Sequence, residues 1–145
     1  MSRRSEGQRV VRELMGPEGE KHLMDAAQSG TFGAVIAGFA VDQAFGEIWT
    51  RSGLDRKARS LVTLAVMVAL KQPAEFATHM RVGLRNGLTL AEIEEVLVQA
   101  LPYVGFPAIS TALAAAAKVF EEDRLDEHSD YTGRPFVAVN LGPGR

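Results

Sequence analysis

The sequence predicts an all-α fold, a compact bundle of about six to seven helices. Three observations carry that prediction. Apolar residues recur at the helical period, hairpin signals are absent, and helix start and stop residues punctuate the chain at short intervals. A chain of 145 residues suits one domain, with a helical body over 1–123 and a polar tail over 124–145.

The elements follow in order. Val10, Val11 and Leu14 place an apolar edge on a charged helix that stops at Gly16-Pro17. Pro17 opens a second short helix, because a first turn does not need the N–H that proline lacks. That helix carries Leu23, Ala26 and Ala27 on one side and ends near Gly30. From Thr31 to Trp49, Phe32, Val35, Ile36, Phe39, Ala40 and Phe45 keep the helical period, weakened by Gly33, Gly38 and Gly46.

Ser52-Gly53 makes a loop, and Asp55 is a suitable N-cap for a helix running to about Lys71. The second half of that helix, LVTLAVMVAL, is apolar on all sides. It is expected to be a central helix, or one buried partly against another subunit. Pro73 opens the next helix, which ends at Asn86-Gly87 with a C-cap glycine. Thr89 and Glu92 form a capping box for a helix that runs to Pro102-Tyr103 and breaks at Gly105. Pro107 starts the last helix, alanine-rich from Ala112 to Ala117 and closing near Asp123. The tail is rich in glycine and proline, with one apolar patch from Phe136 to Val139. Its closing LGPGR lacks the lysine and following helix of a phosphate loop.

Composition removes several functions. A net charge of −2 without a basic patch argues against nucleic acid as a partner. With no cysteine there is no disulfide, thiolate metal site or thiol mechanism. His22, His79 and His128 do not make a metal-ligand spacing, so no metal is expected. The apolar run from Leu61 to Leu70 is too short to span a bilayer, and the N-terminus has no apolar signal core. A cytoplasmic protein without membrane partners is expected.

Three stretches resemble the carboxymuconolactone decarboxylase family over roughly residues 5–122. They are GEIWTRSGL (46–54), RSLVTLAVMVAL with EFATHMR (59–70 and 75–81), and NGLTLAEIEEVLVQALPYVGFPA (86–108). The resemblance implies an alkylhydroperoxidase D-like all-α fold without metal or organic cofactor, assembled as a homo-oligomer, a trimer or hexamer. It implies loss of carbon dioxide from a small anionic lactone of γ-carboxymuconolactone type, giving an enol-lactone in aromatic catabolism. The superfamily's disulfide reductase chemistry needs Cys-x-x-Cys before the histidine. Here that stretch reads Gln72-Pro-Ala-Glu75 ahead of His79, so that activity is excluded. Val104 stands where these decarboxylases usually have cysteine, and Ser110 where they have asparagine.

Decarboxylation needs a donor for the developing oxyanion, a proton for the carbon that loses carbon dioxide, and a cation for a non-reacting carboxylate. His79 is the first candidate for acid–base work, with Glu75 four residues earlier on the same face. Read from the residues alone, a structural histidine in a surface pair with Glu75 is the favoured reading, and the family resemblance reverses that order. Glu47, beside Trp49 and Arg51, is a candidate proton donor or else an arginine-paired carboxylate at a bend. Trp49 is a pocket wall or packing. Arg51, Arg59 and Arg81 suit a planar anion, and the alternative is pairing with acids such as Asp55 and Glu75. Tyr103 offers a hydroxyl to an enolate oxygen, or packs with that hydroxyl satisfied. Two further readings stay open: a relative recruited to another cyclic carboxylated or lactone compound in a biosynthetic pathway, and a non-catalytic oligomeric binding protein.

Overall fold

The computed structural model describes residues 1–125, all helices and connecting turns. The tail's apolar patch, His128 and LGPGR lie outside the described residues. In chain order the elements are α1 (Arg3–Gln28), α2 (Ala34–Phe39), a π-helix (Ala40–Ile48), α3 (Arg56–Ala69), α4 (Pro73–Arg85), α5 (Leu90–Val104) and α6 (Phe106–Asp123). No helix among them is long and apolar enough to cross a membrane. The chain falls into two compact units, Met1–Arg56 and Lys57–Arg145.

In the first unit, the Ser2 hydroxyl accepts from the Ser5 N–H at 3.1 Å and caps α1. The stop expected at Gly16-Pro17 is a kink: Gly16 takes φ 78°, and helix resumes at Pro17. Gly7 and Gly46 let the backbones of α1 and the π-helix approach, since neither position has room for a Cβ. Val10, Val11, Leu14, Met24, Val41 and Phe45 fill the small core. Met24, rather than Leu23, is the residue its part of α1 buries.

The segment expected as one helix from Thr31 to Trp49 differs in two ways. It starts only at Ala34, after Gly33 at φ 93°, and beyond Phe39 it widens into the π-helix. The Trp49 N–H closes that winding on the Ala44 carbonyl at 2.9 Å, five residues back. Of its apolar residues only Val41 and Phe45 are buried, while Phe32, Val35, Ile36 and Phe39 face outward.

The second unit packs side chain on side chain. Leu64 and Val68 of α3 are buried, with Phe76 and Met80 of α4, Ile93 and Leu97 of α5, and Val119 and Phe120 of α6. Leu125, beyond the expected end of the helical body, joins this core. Of the two expectations for α3, a central helix or one buried partly against another subunit, the first is corrected. Ser60, Leu64 and Val68 make its buried edge at four-residue spacing, whereas Val62, Val66 and Leu70 are exposed. At its C-terminus Lys71 takes φ 53°. The Lys71 and Gln72 N–H groups donate to the Val68 and Met67 carbonyls at 3.1 and 3.0 Å, a Schellman motif without its usual glycine. The same motif closes α4 on Gly87 at φ 91°, where Leu88 N–H reaches the Gly83 carbonyl at 2.9 Å. The expected capping box opens α5, with Glu92 N–H to Thr89 Oγ1 at 3.0 Å and Thr89 N–H to Glu92 Oε1 at 3.2 Å.

Candidate functional site

α4 carries the central candidate. Pro73 starts the helix, Glu75 lies exposed in its first turn, and Phe76, Met80 and Gly83 form the buried edge. His79 is three residues beyond Phe76 and one before Met80, so its ring lies along the margin of the core, half-buried. Its Nδ1 is buried and has no hydrogen-bond partner among the described residues. Burial pushes the imidazole pKa below its ordinary 6.5, and the Glu75 charge opposes that shift without cancelling it. His79 is therefore neutral at pH 7. Glu75 acts on it through its field rather than through a hydrogen bond to Nδ1.

Arg81 lies two residues on and so points to a different side of α4. Its guanidinium donates to Asp123 at 2.9 Å and Glu122 at 2.6 Å, both at the end of α6. These are its acid partners, not Asp55 or Glu75, and the Asp123 bond is the main cause of its raised pKa. Arg59 is half-buried on α3. The next residue, Ser60, is almost wholly buried and accepts a hydrogen bond from Asn86 Nδ2 at 2.9 Å. The sequence held no signal for Ser60 beyond its place on a helical stripe.

Tyr103 is exposed near the end of α5. It lines an apolar groove of about 780 Å³ with residues of α3 and α5, and of the expected site residues it is the one that lines this groove. Glu92, Glu94 and Glu95 also line it. The first unit holds the remaining candidates. Glu47 ends the π-helix with its side chain half exposed, 3.5 Å from Arg3. Trp49 is half-buried at the C-cap, and Arg51 is exposed in the following turn. The Arg51 N–H donates to the Ile48 carbonyl at 3.2 Å, and the Thr50 hydroxyl to the Glu47 carbonyl at 2.9 Å. The structure thus places Glu75, His79 and Arg81 on one helix, Tyr103 on a groove, and Glu47, Trp49 and Arg51 on one turn.

A sequence profile of the carboxymuconolactone decarboxylase family matches residues 37–118. The chain is 36% identical over 121 residues to the 4-carboxymuconolactone decarboxylase of Acinetobacter baylyi, covering 83% of this chain and 88% of that one. The chain belongs to the carboxymuconolactone decarboxylase family. It is also 32% identical to the nitrosuccinic acid decarboxylase npaB of Metarhizium robertsii, over 81% of this chain and 80% of that one. An uncharacterized 15.0 kDa protein of Paracoccus denitrificans is 35% identical over 54% of this chain and 60% of its own length. With decarboxylases as its named relatives, the chain is a carboxy-lyase of this family. The family match begins within α2, ends within α6 and spans every candidate residue from Glu47 to Tyr103.

Proposed function

We propose that this chain decarboxylates a small carboxylated lactone of the γ-carboxymuconolactone type to an enol-lactone, without metal or organic cofactor, in aromatic catabolism. The observation that carries the reading is the 36% identity, over most of both chains, to a 4-carboxymuconolactone decarboxylase. His79 supports it as a partly buried imidazole on α4 whose Nδ1 has no partner among the described residues.

In the proposed reaction the carbon–carboxylate bond breaks and carbon dioxide leaves. The electron pair passes into the lactone carbonyl as an enolate, and a proton then returns to carbon. Neutral His79 hydrogen-bonds the enolate oxygen through its ring N–H, or passes that proton to carbon while its other ring nitrogen takes one up from solvent. Glu47 is the other candidate proton donor and Tyr103 the other oxyanion donor. Arg51, Arg59 and Arg81 are the cations suited to a non-reacting carboxylate, Arg81 while also bound to Glu122 and Asp123. Glu75 tunes His79, and Trp49 walls the substrate. The enzyme works in the cytoplasm as a homo-oligomer, a trimer or hexamer. The exposed apolar residues of α2 and α3 support self-association.

The M. robertsii relative favours a second reading, in which the same chemistry acts on another small activated acid. Turnover of γ-carboxymuconolactone, followed by ultraviolet absorbance in the wild type and in His79→Ala, separates these cases. Wild-type turnover is expected to hold through neutral pH. It is expected to decline only as the pH drops below histidine's ordinary 6.5 and the ring charges. His79→Ala is expected to lose at least 100-fold, on the order of a general acid–base contribution, with fold and oligomer retained. Wild-type activity on nitrosuccinate alone would move belief to the second reading, and inactivity on both would overturn the proposal. Full activity in His79→Ala would remove the histidine from it.

A further inference from the structure

The groove between α3 and α5 begins where α6 ends. Leu61, Val62 and Ala65 form one wall, and Val96, Ala100 and Val104 the other. Its acids, Glu92, Glu94 and Glu95, lie in the first turns of α5, and Tyr103 lies near the helix end. Arg81, one turn before the end of α4, holds Glu122 and Asp123 at the end of α6 at 2.6 and 2.9 Å. Only the short connection 86–89 joins α4 to α5. The end of α6 and the acidic start of α5 therefore lie at the same end of this unit. Leu125, the last described residue, is buried in the unit's core, so the chain is anchored there as it leaves α6.

Residues 126–145 follow, and their large apolar side chains cluster at Phe136, Val137, Val139 and Leu141, with Arg134 just before them. In an extended chain Val137, Val139 and Leu141 share one face. Extended, 136–141 covers roughly 20 Å, and α5 from Ala91 to Val104 rises through roughly the same 20 Å. The polar stretch 126–133 reaches roughly 27 Å, more than the length of the groove. Arg134 suits the acidic end. Glu92 there is bound to Lys57 at 3.2 Å and Glu94 has a contact of its own, while Glu95 is exposed on the rim.

We propose that Phe136–Leu141 lies along the groove of its own chain, with Arg134 paired to Glu95 at the acidic end and Leu141 towards Tyr103. Tethering favours this occupant, because a short linker holds the segment at an effective concentration of about millimolar beside the groove. The contact lies within the unit Lys57–Arg145. It depends neither on the proposed reaction nor on self-association.

The chain has no cysteine, so introduced pairs report proximity without background. In the full chain, Val139→Cys is combined with Gln99→Cys on the groove and, separately, with Lys118→Cys on α6. Gln99 and Lys118 are both exposed, so unchanged circular dichroism is expected. Lys118 is the nearer in sequence to where the tail leaves α6, so an undocked tail would reach it at least as readily. Under mild oxidation the Gln99 pair is expected to close within one chain roughly tenfold faster than the Lys118 pair. Adding Arg134→Glu is expected to slow the Gln99 pair, most of all at low salt. Adding Val62→Asp, at an exposed position of the groove wall, is expected to erase the difference between the pairs. Equal closure of the two pairs without these additions would overturn the proposal. Gln99 disulfides that join two chains rather than one would give the groove to a neighbour's tail, and overturn it too. A rate indifferent to Arg134→Glu would overturn the ion pair with Glu95.

Discussion

The two units hold their helices together in opposite ways. In the first, α1 meets the π-helix backbone to backbone. A Cβ on Gly7 would lie 2.0 Å from the Val41 carbonyl oxygen, and one on Gly46 would lie 2.4 Å from the Arg3 carbonyl oxygen. In the second, Leu64, Phe76, Met80, Val119 and Phe120 keep the helices apart and fill the space between them. One spacing is set by absent side chains and the other by large ones. The first unit therefore resists additions and the second resists deletions. Close backbones also leave little interior, so Phe32, Val35, Ile36 and Phe39 find no core in the first unit and remain outside.

The largest expected effect is a deletion in the second unit. Phe76→Ala should lower stability by about 3–5 kcal/mol, the usual cost of emptying a buried aromatic site. The denaturant midpoint measures it, and a loss below about 1 kcal/mol would mean that Phe76 does not space these helices. The complementary addition is Gly7→Ala. Alanine is the better helix former by about 1 kcal/mol, yet overpacking against the Val41 carbonyl should cost about 1–3 kcal/mol. Amide exchange should quicken at Val10 to Leu14 before it does at Phe76 to Val82. A stabilised Gly7→Ala would break the contrast between the units.

The smallest effect lies at a helix end. Lys71 pays the left-handed penalty that Gly87 avoids in the same motif. Lys71→Gly should gain less than about 1 kcal/mol, because extra freedom in the unfolded chain offsets most of the relief. Gly87→Lys should lose a similar amount, and equal midpoints for the pair would remove the strain argument.

Much of the site was legible as residue types and little of it as geometry. His79 stands out as a helical histidine with a glutamate one turn earlier, and that pattern is local. The burial of its Nδ1 depends on how α4 lies on the core of its unit, which no spacing within the helix records. Arg81 read as an anion-binding arginine, but its partners Glu122 and Asp123 are 41 and 42 residues away. Glu92 read as the capping-box acid of α5, and only packing beside α3 makes it part of the polar edge of a groove.

By itself the sequence determined that this chain is helical, where most helices begin and end, and which family it joins. Caps, prolines, glycines and the 3.6-residue period act over a few neighbours, so they can be read in order. The π-helix is another matter, because its wider winding accompanies the approach of Gly46 to the Arg3 carbonyl, contributed by residues 43 positions apart. Which edge of α3 is buried, which partners Arg81 holds and why the row on α2 stays exposed were likewise decided only in the tertiary structure. Burial and ion pairing depend on what distant segments bring to a surface, and helical periodicity specifies a face without naming its neighbour.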